Sequence, residues 1–150
     1  MSEMTTAEYI RFLTEGTRTA KLATLRRDGR PHVVPVWFVL DGDDLLFTTA
    51  QKSVKGRAIR RDPRVAACID DDRPPFAFVM IEGRATVIED SHAVLITATR
   101  IARRYMGSDK AEEYARFNSV DGMMAVRITP DNIASEDNVT DIGGVTAGEA

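Results

Sequence analysis

At 150 residues, 43% hydrophobic and 29% charged, the chain has the make-up of one globular domain large enough to bury a core. A formal net charge of −3 at pH 7 excludes bulk attraction to nucleic acid or to an anionic membrane surface. The single cysteine excludes an intramolecular disulfide and any multi-cysteine zinc site. No apolar run reaches the roughly 20 residues of a membrane span, and the polar N-terminus has no signal-peptide core, so a cytoplasmic protein is expected.

In chain order, Thr5 to Glu15 reads as a short amphipathic helix, with Tyr9, Ile10, Phe12 and Leu13 on its apolar face. Thr5 or Thr6 is its N-cap, and Gly16 closes it. Thr19 to Leu25 is a strand, and Arg27-Asp28-Gly29-Arg30-Pro31 a turn. His32 to Leu40 is almost wholly apolar and β-branched, which predicts a strand buried on both faces, with Pro35 marking an edge or a bulge. Asp41-Gly42-Asp43-Asp44 is a second hairpin turn, and Leu45 to Thr49 the third strand. A basic helix follows from Lys52 and ends at Arg61-Asp62-Pro63-Arg64.

Val65 to Asp70 is the fourth strand. Asp70 to Pro75 is an exposed loop, and Phe76 to Glu89 a fifth strand bent at Glu82-Gly83. Ser91 to Tyr105 and Asp109 to Phe117 read as helices parted by Gly107. Met123 to Ile128 is the last strand, before Pro130. Residues 1–134 form one domain, mainly β with inserted helices: a six-stranded antiparallel barrel. Residues 135–150 are a polar, Gly-rich tail that is loose or lies across a partner subunit.

The chemistry-bearing feature is the third strand and the basic helix after it. Six of the thirteen residues from Lys52 to Arg64 are Lys or Arg, in a chain that is acidic overall. Hydroxyls at Thr48, Thr49 and Ser53, a helix N-terminus and Lys55 together make a phosphate site. The same spacing also suits a solvated basic helix face. Like charges three and four residues apart repel, and an anionic ligand relieves that repulsion. Trp37 reads first as a core aromatic; the alternative is a ring that flanks a planar ligand. Phe78 and Met80 line the same slot or fill the barrel. His32 and His92 read as exposed or capping, Cys68 as a buried inert thiol, and Glu82 as structural. No nucleophile with its base, no metal-ligand spacing and no Gly-rich nucleotide loop is evident, so any reaction falls to a bound cofactor.

The run from Ala23 to Phe38 resembles the opening hairpin of the pyridoxamine-phosphate-oxidase-like, FMN-binding split-barrel superfamily. Phe47-Thr48-Thr49, Lys55 and Arg60-Arg61-Asp62-Pro63-Arg64-Val65 resemble its strand–helix–strand phosphate module, and Phe78 to Ala85 a later barrel strand. The resemblance spans most of residues 5–130. It implies a homodimer of split barrels with flavin-type cofactors at the subunit interface. Thr48, Thr49, Ser53 and Lys55 then fall where the family holds the cofactor phosphate. Pro35, Val36, Trp37 and Phe38 fall where backbone groups meet the ring, and Phe78 and Met80 on a strand facing it. The basic ending looks most like the branch using the deazaflavin coenzyme F420, whose polyglutamate tail would meet Lys52, Arg57 and Arg60; Arg61 stays open.

True pyridoxamine phosphate oxidases carry further Arg and Lys along the ring strand, where this chain has Pro35 to Phe38. The leading expectation is an F420-dependent oxidoreductase transferring hydride to a small conjugated or unsaturated substrate. The alternatives are an FMN-dependent reductase or oxidase, and a non-catalytic flavin or heme binder with His32 or His92 as axial ligand. A nucleic-acid binder is disfavoured by the net charge.

Overall fold

The computed structural model describes residues 3–140. Helix α1 (Thr6–Thr14) is followed by β1 (Ala20–Leu25), β2 (Pro31–Val36), β3 (Val39–Asp41), β4 (Asp44–Ala50) and α2 (Val54–Arg61). Then come β5 (Arg64–Asp70), β6 (Phe78–Ile88), α3 (Ser91–Met106), α4 (Ser108–Phe117) and β7 (Met123–Glu136). Thr5 caps α1 in a reciprocal box: its side chain accepts from the Glu8 N–H, while the Glu8 carboxylate accepts from the Thr5 N–H.

The strands form one seven-stranded sheet in the order β2-β1-β5-β6-β7-β4-β3, every pairing antiparallel. This corrects the expected six-stranded split barrel in two respects: the strands form one open sheet, and there is one strand more. The extra strand arises because His32 to Leu40 is two strands. The chain leaves β1 after Val36, crosses through Trp37 and Phe38, and pairs with β4 from Val39. The two edge strands are therefore joined by only two residues, a span of about 11 Å at most. The sheet must curl until its edges face each other across a seam.

The first half of that run is also not buried on both faces. In β2 the outward positions Pro31, Val33 and Pro35 are exposed, Val33 at 59%, while Val36 enters the core. An edge strand tolerates Pro35 because its N–H side needs no ladder partner.

Inside the curl lies the main core, which includes Leu22, Phe38, Phe47, Ile69, Ile81 and Met124. Helix α1 adds Tyr9, Phe12 and Leu13 from the side of β3, and α2 adds Ile59 from the side of β1, β4 and β6. A smaller cluster of Val39, Leu46 and Ile101 binds α3 to the outer face of β3 and β4. No helix among the described residues is long and apolar enough to cross a membrane.

β7 extends past Ile128 to Glu136, so Pro130 interrupts a strand rather than ending one. The register shifts between Glu82 and Gly83, where Glu82 faces Asn132 and Gly83 faces Pro130. That is the bend expected from Glu82-Gly83. Ser135 sits in β7 opposite Val79, and its hydroxyl accepts from the Met4 N–H at 2.9 Å. Of the polar tail, residues 141–150 lie outside the described residues.

A Cβ on Gly83 would sit 2.4 Å from the Thr129 carbonyl oxygen, against backbone that cannot swing aside. Gly83→Ala is expected to lower unfolding stability by about 1–3 kcal/mol, read from urea denaturation. A neutral result would show that the bulge can reopen.

Candidate functional site

The site is assembled where β4 runs into α2. Consecutive strand residues face opposite ways, so the two threonines part company. Thr49 points inward with Leu45 and Phe47 and is 4% exposed, whereas Thr48 shares the α3-side face with Leu46 and is half-buried. Thr49 Oγ1 lies 2.9 Å from Ser53 Oγ. Ser53 is the N-cap of α2: its hydroxyl accepts from the Gly56 N–H at 3.0 Å and sits 2.8 Å from the Ala50 carbonyl oxygen. Lys52 therefore lies in the turn before the helix, not within it. The structure brings Thr49, Ser53 and Lys55 together at one helix end and places Thr48 on the other face of the strand.

The Val54 and Lys55 N–H groups are not taken up by that cap, and the first turn of α2 carries no acidic residue. A helix N-terminus of this kind presents partial positive charge. Gly56 lets it close on the strand: a Cβ there would lie 2.5 Å from the Ala50 carbonyl oxygen.

The six cations of this stretch divide into two groups. Arg60 pairs with Glu89, Arg61 donates to the Leu25 carbonyl at 3.2 Å, and Arg64 closes on Asp62 at 2.7 Å. Hydrogen bonds from Arg64 hold the Asp62 carboxyl down at about 2. The side chains of Lys52, Lys55 and Arg57 have no hydrogen-bond or ion-pair partner among the described residues. Lys55 is half-buried as well, and burial lowers its pKa. A desolvated ammonium with no counter-charge, beside free helix N–H groups, fits a phosphate better than it fits a solvated surface.

The ring-strand residues are less uniform than expected. Pro35 is exposed, Val36 and Phe38 are buried, and Trp37 is half-buried. Trp37 stacks on Tyr105 of α3, with centroids 4.9 Å apart and planes parallel, and meets Tyr114 of α4 at 5.5 Å. The Phe38 N–H donates to the Tyr105 hydroxyl at 3.2 Å, and its carbonyl accepts from Arg104 at 2.8 Å. Both polar groups of Phe38 are thus spent within the protein.

Phe78 and Met80 lie half-buried on the outer face of β6, alternating with the core residues Val79 and Ile81. Met80 lines an open groove of about 490 Å³ whose floor includes Ala23 and Ala66. Its neighbour across the ladder is Cys68, half-buried on this outer face rather than in the core, with burial raising its thiol pKa. His92 is exposed at the start of α3. His32, expected to be exposed or capping, is half-buried opposite Thr24 with its Nδ1 unpartnered. Among the described residues no group of three or more His, Cys, Asp or Glu is placed to hold a metal ion.

Sequence reasoning missed Arg104 and Tyr105. Arg104 donates to the carbonyls of Leu13 at 2.7 Å, Gly16 at 3.1 Å and Phe38 at 2.8 Å, tying α1 and the seam to α3. Nothing in their spacing marked them, since Arg and Tyr near a helix end read as ordinary solvent-facing residues. Lysine cannot reproduce this three-way fork. Arg104→Lys is expected to cost about 2–4 kcal/mol by leaving carbonyls unpaired, measured as a fall in the denaturant midpoint.

A family model described as pyridoxamine 5'-phosphate oxidase matches residues 6–135. The chain is 35% identical over 101 residues to the F420H(2)-dependent biliverdin reductase of Mycobacterium tuberculosis (strain CDC 1551 / Oshkosh), covering 65% of this chain and 70% of that protein. Among solved structures it is similar to the conserved hypothetical protein Rv2991 from Mycobacterium tuberculosis. That likeness has a TM-score of 0.80 and 28% identity, over 93% of this chain and 88% of the other. It is also similar to a protein named F420 reductase, with a TM-score of 0.64 and 27% identity, over 82% of this chain and 94% of that one.

Proposed function

This chain belongs to the pyridoxamine 5'-phosphate oxidase family, and from that premise we propose that it is an oxidoreductase using the deazaflavin coenzyme F420. The observation that carries the reading is the group of three cations without acidic partners among the described residues around the α2 N-terminus, with half-buried Lys55 at its centre. Its similarity to an F420H(2)-dependent biliverdin reductase and to a protein named F420 reductase supports the same choice of cofactor.

In this reading Lys55 and the Val54 and Lys55 N–H groups hold the cofactor phosphate, while the Ser53 hydroxyl, which donates to the Ala50 carbonyl and accepts from the Gly56 N–H, fixes the helix end that presents them. Lys52 and Arg57 meet the carboxylates of its tail. Arg60, engaged with Glu89, contributes to the local potential instead. When bound and reduced, the coenzyme supplies a hydride to an electron-poor conjugated double bond, and a proton from water completes the reduction. The chain's own work is to anchor, orient and keep the slot dry. Two copies associate through the outer face of β1, β2, β5 and β6, where exposed Val33 and half-buried Phe78 and Met80 give an apolar surface. The cofactor lies at that junction.

Fluorescence titration of the purified protein with F420 and with FMN tests the reading. Saturable F420 binding is expected, weakened about tenfold or more in Lys55→Ala, since a hydrogen bond to a charged group is worth about 1.5–3 kcal/mol. Arg60→Ala is expected to stay within about twofold of the parent, because its charge is already paired. No saturation with F420, or tighter binding of FMN, overturns the choice of coenzyme.

A second outcome follows from the lowered Lys55 pKa. A nearby phosphate favours the ammonium and raises that pKa on binding. Binding therefore takes up a proton at pH values between the free and bound pKa, and affinity falls as pH rises through the free value. Calorimetric titration in buffers of differing ionisation enthalpy reads this uptake, and Lys55→Ala abolishes it.

A further inference from the structure

The end of β4 remote from α2 has the opposite charge. Asp43 and Asp44 sit at the β3–β4 hairpin, roughly 20 Å along the strand from Ala50. Beside them, a cleft of about 480 Å³ opens between α1, this hairpin and the bulged part of β7. Its size falls within the range of small-molecule sites. Asp44 is shared with Arg127 at 2.9 Å, whereas the Asp43 carboxylate has no partner among the described residues. Met4, Pro130 and Ile133 supply an apolar wall.

An independent observation marks the cleft as more than an acidic surface. Tyr9 lines it and is only 6% exposed, yet its buried hydroxyl has no hydrogen-bond partner among the described residues. Its ring is part of the main core, which holds the side chain in place. An unmade buried hydrogen bond of this kind costs about 1–3 kcal/mol, and a ligand that supplies the missing partner recovers it. Burial first, then the charges of Asp43 and Asp44, push the phenol up to about 12, so it stays neutral and keeps a lone pair to offer.

We propose that this cleft is a second ligand site, built for a protonated primary amine on a short apolar body. An ammonium has three N–H donors and no acceptor. Asp43, Asp44 and the Tyr9 oxygen offer three acceptors of matching kind, and the Met4 and Ile133 side takes the alkyl part. Anions, including the phosphate and carboxylates assigned to the α2 end, are repelled here. The site therefore takes a ligand of a different class from the coenzyme, and it stands whether or not the F420 reading does.

The test is a chemical-shift titration of the full-length protein with n-butylammonium chloride, with 1-butanol as the uncharged control. Saturable shifts at residues lining the cleft are expected with the amine and not with the alcohol. Asp43→Asn and Tyr9→Phe should each weaken binding about tenfold. Tyr9→Phe removes a hydroxyl that has no partner, so the free variant should be at least as stable as the parent. Absence of saturation, equal binding of 1-butanol, or retained affinity in either variant overturns the proposal. A Tyr9→Phe protein less stable than the parent also overturns it, because the hydroxyl would then be satisfied already.

Discussion

The structure depends on holding a seam. A sheet whose two edge strands are consecutive in the chain is forced to curl by the shortness of Trp37-Phe38, but a two-residue link does not by itself hold the edges in one place. The C-terminal turn of α3 does. Tyr105 accepts from the Phe38 N–H and donates to the Arg18 carbonyl at 2.8 Å, while Arg104 draws in carbonyls from Leu13, Gly16 and Phe38. Its guanidinium also lies over the Phe38 ring at 4.6 Å. Burial lowers the Arg104 pKa, and without these carbonyls a cation in that position would be costly. The carbonyls in turn would be orphaned without it. Neither side is satisfied unless α1, the seam and α3 are in place together, which makes the closure cooperative.

That closure gives the domain two charged ends. Strand β4 carries Asp44 at one terminus and leads to Lys52, Lys55 and Arg57 beyond the other, so one element separates an acidic cleft from a basic helix end. At the basic end, arginines are consumed by architecture: Arg60, Arg61 and Arg64 staple α2 to the strands around it. What they leave is a smaller and more specific surplus than the raw count of cations suggests. The surplus is also placed where the helix N-terminus reinforces it, and Gly56 allows the close approach that brings helix and strand together.

Much of this was legible in the sequence. The N-cap at Thr5, the turns at Asp28-Gly29 and Asp41 to Asp44, the bend at Glu82-Gly83 and the break at Gly107 each have a local cause, and each is where local reasoning puts it. The misreadings share a different origin. His32 to Leu40 looked like one buried strand because β-branched apolar residues are needed both on an exposed edge that awaits cover and in a core; composition cannot tell them apart. The continuation of β7 through Pro130 was hidden because a bulge excuses a proline that a regular ladder would refuse. Thr48 and Thr49 are adjacent in sequence, yet the two-residue period of a strand sends them to opposite faces. Arg104 and Tyr105 act only through carbonyls and rings distant in sequence, which no local window contains.

The state of the Phe38 backbone bears on how a planar ring is to be held near the seam. With its N–H and carbonyl committed to α3, and with Pro35 lacking an N–H altogether, this segment has few directional groups left for a ligand. Trp37 is constrained too, since one of its faces is covered by Tyr105. On the proposed reading, the anchoring energy must come mainly from the charged end, while the ring end supplies apolar cover and shape. Such a division suits a cofactor that carries its own reactivity: a strong grip far from the reacting carbon fixes its position, and a slot poor in polar groups adds little to discriminate among substrates. Selectivity among acceptors then falls to whatever completes the slot from outside this protomer, and the apolar outer face around Val33 and Met80 is where a second copy would supply it.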